Sequence, residues 1–139
     1  MVSTEVVIPV LTYEDGAAAI DWLVRVFGFR ERHVNGERGQ VISHAELEMD
    51  EGVLMIHSNV SGFKASKHAD DATYVYVRDL ERHFETAKAR GAEIDIPFTK
   101  AGFDTFYTAY DLEGHYWWFA QRRESGRTLL GEQYGSLLT

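Results

Sequence analysis

Two apolar runs, each followed by a helix-like stripe and then by alternating segments, organise the chain. Val6-Val7-Ile8-Pro9-Val10-Leu11 leads to Asp15, and Thr73-Tyr74-Val75-Tyr76-Val77 leads to Asp79. An aspartate at such a point accepts from the free N–H groups that open a helix. After Asp15, the residues Ile20, Leu23, Val24 and Phe27 recur at the spacing of one helical face, and Gly28 supplies a stop. After Asp79, Leu80, Phe84 and Ala87 form the stripe; Lys88 and Arg90 fall in the last turn, where the helix dipole favours cations, and Gly91 follows. The spacing leaves Glu81, Arg82 and Glu85 on the solvated side of that helix. β-prone segments come next, roughly 29–34, 41–49 and 53–58 in the first half and 93–97, 103–110 and 115–121 in the second.

The two halves are copies. Asp15 and Asp79 lie 64 residues apart, Gly28 and Gly91 63, and the turn aspartates of Asp50-Glu51-Gly52 and Asp111-Leu112-Glu113-Gly114 lie 61 apart. The plan is βαβββ written twice, an α+β arrangement: module one about 5–58, a linker 59–71 rich in Ser, Gly, Lys and Asp, module two about 72–121, and a tail 122–139 with no clear pattern.

Alternation assigns faces. His44, Glu46 and Glu48 alternate with Ala45, Leu47 and Met49, and the charged set cannot pack on a helix without large desolvation cost. On the next strand Leu54 and Ile56 suit the helix side, leaving Val53, Met55 and His57 opposite. Direct partners on a shared face then pair His44 with His57, Glu46 with Met55 and Glu48 with Val53. A type I turn with a glycine bulge at Asp50-Glu51-Gly52 would slip this register by one. In the second half Tyr74 and Tyr76 share the parity of Ala72, and Tyr116 that of Trp118, whereas Trp117 and Phe119 read as core. His33, His68, His83 and His115 read as surface or turn residues.

Composition narrows the chemistry. With 139 residues, 45% of them hydrophobic and 26% charged, the chain has enough apolar surface for one compact domain. Fourteen Lys and Arg against 22 Asp and Glu give −8, which argues against a nucleic-acid partner. The absence of cysteine excludes disulfides, thiolate nucleophiles and thiolate metal sites. No stretch of about 18 apolar residues is present to span a membrane, and Met1–Glu5 shows no basic leader before an apolar run, so a soluble, cytoplasmic protein is expected. No glycine-rich phosphate loop or dinucleotide fingerprint occurs. Ser43 beside His44 lacks the glycine-flanked turn of a nucleophile elbow.

The doubled plan, Ile8-Pro9-Val10-Leu11 before Asp15, Phe27-Gly28-Phe29, the His44-Ala45-Glu46-Leu47 strand and Asp111-Leu112-Glu113-Gly114-His115 before aromatics together resemble the vicinal oxygen chelate superfamily, the glyoxalase, bleomycin-resistance and extradiol-dioxygenase group. The resemblance runs over about residues 5–121. It implies two curved four-stranded half-sheets around a cavity, often completed by dimerisation. In metal-dependent members four inward strand positions supply His and Glu ligands, and the resemblance carries these to Ile8, Met55, Ala72 and Trp118. None of the four side chains offers the oxygen or imidazole lone pair that a divalent ion requires. A shift of one residue substitutes Asp71, His57, Thr73 or Trp117 and still gives no full set. Leu112 stands where the family turn usually has proline.

These observations lead to an expected metal-free, cofactor-free homodimer that binds a small organic ligand, cationic or aromatic, through His44, Glu46, Met55, His57, Tyr74, Tyr76, Tyr116 and Trp118. Stacking and cation–π contact are the expected attractions. His44, His57 and Glu46 carry other readings as well: solvated strand residues, or a noncanonical metal or acid/base site in a lyase, isomerase or dioxygenase. The two tyrosines are open to a core reading.

Overall fold

The computed structural model describes residues 7–35, 44–58, 71–102 and 104–122. All of the linker but Asp71, the tail from 123 onward, His68 and Ser43 lie outside these residues.

The expected α+β plan is present twice. Module one contains β1 (Val10–Tyr13), α1 (Gly16–Phe27), β2 (Arg30–Asn35), β3 (His44–Met49) and β4 (Gly52–Ser58), with sheet order β1-β4-β3-β2. Module two contains β5 (Ala72–Tyr76), α2 (Leu80–Ala89), β6 (Glu93–Ile94), β7 (Thr99–Lys100), β8 (Thr105–Tyr110) and β9 (Tyr116–Gln121). Its order is β5-β9-β8-β6, with β7 also on β8. The copies correspond pair by pair: Val10 faces Met55 across the parallel β1/β4 ladder, as Tyr74 faces Trp118 across β5/β9.

Local chemistry explains the elements. Asp15 accepts from the Ala18 N–H and Asp79 from the Arg82 N–H, so both helices begin where the aspartates stand. Gly28, at φ 79, ends α1 in the left-handed conformation that a side chain would oppose. The expected strand 93–97 is shorter than the sequence suggests: β6 ends at Ile94, Pro97 follows without an N–H to donate, and β7 is a further short strand beyond the expected segment; Asp95 N–H and Ile96 C=O keep their bonds to Thr108 between them. The first strand begins at Val10, later than the apolar run suggests, and Val7 is 83% exposed. On α1 the buried stripe is Ala19, Ile20, Leu23, Val26 and Phe27, so Val26 replaces Val24 at its centre.

The helix-facing sides of both sheets share one core. Phe27 of α1 lies edge-on to Trp117 and Phe119 of β9, with ring centroids 5.5 and 4.7 Å away, and all three are fully buried. Burial of large aromatics at about 25 cal/mol per Å² makes this contact a main bond between the modules. Polar pins reinforce it with approximate twofold symmetry. Arg90 donates to the Arg25 C=O at 2.7 Å and Arg25 to the Arg90 C=O at 3.5 Å. The hairpin turn of each module also holds the strand–helix junction of the other. Glu113 accepts from the Glu14 and Asp15 N–H groups, and Asp50 from the Arg78 N–H.

Candidate functional site

With the helices on one side, the opposite face of each sheet is where ligand-contacting side chains can stand. On β3 and β4 the alternation is as expected. Ala45, Leu47, Met49, Leu54 and Ile56 are buried, whereas His44, Glu46, Glu48, Val53, Met55 and His57 are half-buried on the outer face. His44 pairs with His57, Glu46 with Met55 and Glu48 with Val53. Asp50 adopts φ 50, giving a two-residue turn that pairs Met49 with Gly52 and removes the bulged alternative. The polar groups are internally engaged: Glu46 lies 3.5 Å from the Arg32 guanidinium and 3.9 Å from His44 Nε2, and Arg30 pairs with Glu48 at 3.3 Å.

The outer face of the second sheet is aromatic. Tyr74 and Trp118 are cross-strand partners whose rings stack at 5.8 Å and 21°. Tyr76 stands edge-on to Tyr74 at 5.4 Å, Phe106 lies 4.7 Å from Trp118, and Tyr116 closes the group at 6.5 Å, perpendicular to Trp118. Tyr74 remains 42% exposed, and the Arg122 guanidinium covers the Tyr76 ring at 3.8 Å. Trp117 and Phe119 point the other way, fully buried.

A carboxylate that the sequence did not single out ties this face together. Tyr74 and Tyr76 both donate their hydroxyls to Asp104 Oδ2, at 2.6 and 2.8 Å. Asp104 is 2% exposed. Burial, then the hydrogen bond to Asp104, then its negative charge push both phenols up, Tyr76 to about 12. Tyr116 is raised as well, by burial and then by its bond to Asp95. These phenols therefore act as neutral donors.

A cavity of about 610 Å³ runs between the modules. Its walls include Phe29, Met49, Val53, Tyr74, Tyr76 and Arg122. Of the eight residues expected at the site, Tyr74 and Tyr76 line it. Trp118 and Tyr116 join them through the aromatic face, while His44, Glu46, Met55 and His57 form a separate polar face on the other sheet.

Of the histidines read as surface or turn residues, His83 departs from that reading and His115 keeps its turn position. His83 is largely buried. Its Nε2–H donates to the Phe27 C=O and its Nδ1 accepts from the Tyr107 hydroxyl, both at 2.6 Å, and burial lowers its pKa. The signal was present, since residue 83 falls on the 80, 84, 87 stripe. His115 joins the turn to β1 through the Thr12 C=O at 2.9 Å.

The donor chemistry at the expected metal positions does not suit an ion. Ile8 precedes β1, Met55 and Trp118 lie on β4 and β9, and Ala72 opens β5; three are hydrocarbon or thioether and one an indole that only donates.

The family model described as the Glyoxalase/Bleomycin resistance protein/Dioxygenase superfamily matches residues 6–119. Among solved structures, TioX from Micromonospora sp. ML1 is 32% identical with a TM-score of 0.72, covering 86% of this chain and 97% of its own. A glyoxylase/bleomycin resistance protein/dioxygenase domain from Frankia sp. EAN1pec is 14% identical with a TM-score of 0.67, covering 86% and 98%. The genomically encoded fosfomycin resistance protein FosX from Listeria monocytogenes is 16% identical with a TM-score of 0.66, covering 91% and 99%. The last two share the fold. No curated protein matches the chain significantly.

Proposed function

The chain belongs to the glyoxalase/bleomycin resistance protein/dioxygenase superfamily, and on that premise we propose that it binds or sequesters a planar aromatic or cationic organic compound on the outer face of its second sheet, without a metal ion. The observation that carries this reading is the stack of Trp118 on Tyr74, which is 42% exposed, with Trp118 at a position where the family resemblance would put a metal ligand. A flat π-surface backed by neutral phenols and a buried carboxylate attracts aromatic cations through stacking and cation–π contact, each worth roughly 0.5–2 kcal/mol. The net charge of −8 favours the same partner.

The site is completed by a second copy in this reading, because one sheet face is half an enclosure. The active form is then a homodimer with no nucleic-acid or membrane partner, placed in the cytoplasm. No helix among the described residues is long and apolar enough to cross a membrane.

One observation favours a second reading. His44 and His57 face each other with Glu46 nearby, which are groups that a His-based or metal-dependent lyase, isomerase or dioxygenase could use. Titration with 9-aminoacridine separates the two. Saturable quenching of tryptophan emission that is lost in Trp118→Ala supports binding at the aromatic face. Binding lost in His44→Ala and retained in Trp118→Ala favours the other face and overturns the proposal.

A further inference from the structure

Asp104 holds an oxygen that the described fold leaves unused. Its Oδ2 accepts two phenol hydroxyls, whereas its Oδ1 is buried and has no hydrogen-bond partner among the described residues. Buried polar atoms are nearly always paired, and an unpaired carboxylate oxygen is among the costliest exceptions. Two features connect this oxygen to the binding face. The phenols bonded to its sister oxygen belong to Tyr74 and Tyr76, and Tyr74 is both 42% exposed and stacked on Trp118. Asp104 thus sits at the hydroxyl end of Tyr74, the ring whose exposed part a ligand would cover.

We infer that Asp104 is the specificity-determining residue of this face, and that the ligand it selects is a planar aromatic compound carrying an N–H donor beside its ring system, whose N–H satisfies Oδ1. The inference rests on the aromatic face being the binding face. The role differs from simple charge attraction, because a carboxylate acting only through its field would accept any aromatic cation, whereas an unpaired acceptor discriminates by hydrogen bonding. Bound ligand stacks over Tyr74 and Trp118, the Tyr74 ring yields at its exposed edge, and the donor reaches the carboxyl between the two phenols.

Three probes of one ring system test it, with binding to the full chain measured by calorimetry at pH 8. Acridine is neutral, 10-methylacridinium is charged without an N–H, and 9-aminoacridine is charged with N–H donors. The wild-type protein should bind 9-aminoacridine about tenfold or more tightly than 10-methylacridinium, the gain of a hydrogen bond to a charged acceptor. In Asp104→Asn this preference should fall to within about twofold, since the amide presents a donor where the oxygen accepted. Equal wild-type affinities for the two cations overturn the inference while leaving the aromatic face as the binding site. Failure of all three probes to bind overturns both. If Asp104→Asn does not fold, the wild-type ratio of the two cations still decides, and Tyr74→Phe gives a second check. Removing one of the two donors to Oδ2 leaves Oδ1 unpaired as before and Tyr76 still on Oδ2, so the preference for 9-aminoacridine should persist, and its disappearance counts against Asp104 as the acceptor.

Discussion

Adjacent tryptophans on β9 carry opposite tasks, and their contrast gives the sharpest test at the residue scale. Trp118 stands on the aromatic face against Tyr74, whereas Trp117 is fully buried, edge-on to Phe27, and donates its indole N–H to Asp111 at 3.0 Å. Trp118→Ala should fold and lose about 1–3 kcal/mol of affinity for a planar cation, roughly a five- to hundredfold rise in Kd. Trp117→Ala should lose about 3–5 kcal/mol of folding stability. Calorimetric titration and urea unfolding check the pair; a Trp118→Ala protein that unfolds while Trp117→Ala does not would invert the assignment of faces. His83 supplies a pH test. Burial lowers its pKa below the ordinary 6.5, against a smaller opposing pull from the Phe27 carbonyl and from Asp50, and Tyr107 is the other polar group bonded to it. The unfolded chain therefore binds more protons than the fold between the depressed value and 6.5. Stability from this group is complete above about pH 6.5 and falls as pH drops toward the folded pKa. Urea midpoints from pH 8 to 5 should decline in the wild type and decline less steeply in His83→Gln; identical slopes would assign the titration elsewhere.

At the scale of elements, the β8–β9 turn holds more than a hairpin. Asp111 Oδ1 accepts from the Glu113 and His115 N–H groups, and Oδ2 from Trp117 and from the Tyr13 hydroxyl of module one. All four bonds have an ionisable acceptor and two reach buried side chains, so Asp111→Ala should cost about 3–5 kcal/mol in urea unfolding. Among the described residues, the corresponding carboxylate in the first turn, Asp50, accepts from the Arg78 N–H at 3.3 Å and forms a 3.9 Å ion pair with the exposed Arg78 side chain. Asp50→Ala should cost about 1 kcal/mol or less. Equal losses would mean that the turns, not their long-range bonds, set the stability. The same contrast explains what the sequence made legible. Local signals, capping aspartates, a glycine stop and period-two alternation, place both helices and the His44–His57 register, because each depends on neighbours a few positions away. Asp104 carries no such signal, since Tyr76 and Tyr74 lie 28 and 30 residues away and become its neighbours only on folding; Asp111 is legible as a turn residue bonded to Glu113, His115 and Trp117 nearby, but its bond to Tyr13, 98 residues away, is not. The shortening of the 93–97 segment to Glu93–Ile94 accompanies Pro97, which is visible in the sequence but outweighed by the β-prone residues around it.

The whole molecule is organised around a shared helical core that leaves both outer sheet faces open and, among the described residues, an unpaired edge at each end of each sheet, β1 and β2 in the first and β5 and β6 in the second. An edge with residues such as Val10, 57% exposed, and Tyr74, 42% exposed, invites strand addition unless something covers it. A second copy does so economically. In the proposed homodimer a twofold pairing would place the same patch against its complement twice, setting the polar face of β3 and β4 opposite the aromatic face of β5 and β9 and closing two binding sites. Such a pairing would offer a ligand both the half-buried polar face, with His44, Glu46 and Glu48, and the aromatic stacking face. It also fits donor positions that lack metal ligands: purified protein should carry less than one tenth of an equivalent of zinc, nickel, manganese or iron, on the order expected of weak adventitious binding, and added ions should leave Tm unchanged, because an ion that does not bind the native state cannot stabilise it. The assembly itself is read by light scattering. At micromolar concentration the mass should be about twice the 15.8 kDa of one chain, with an interface of roughly 1,200 Å² or more. Val10→Lys places a charge on the β1 edge without touching the core, so it should shift the mass toward the monomer and weaken ligand binding together. A wild-type mass of one chain rejects the dimer. A monomeric Val10→Lys protein that binds as tightly as the wild type would place the whole site within a single chain.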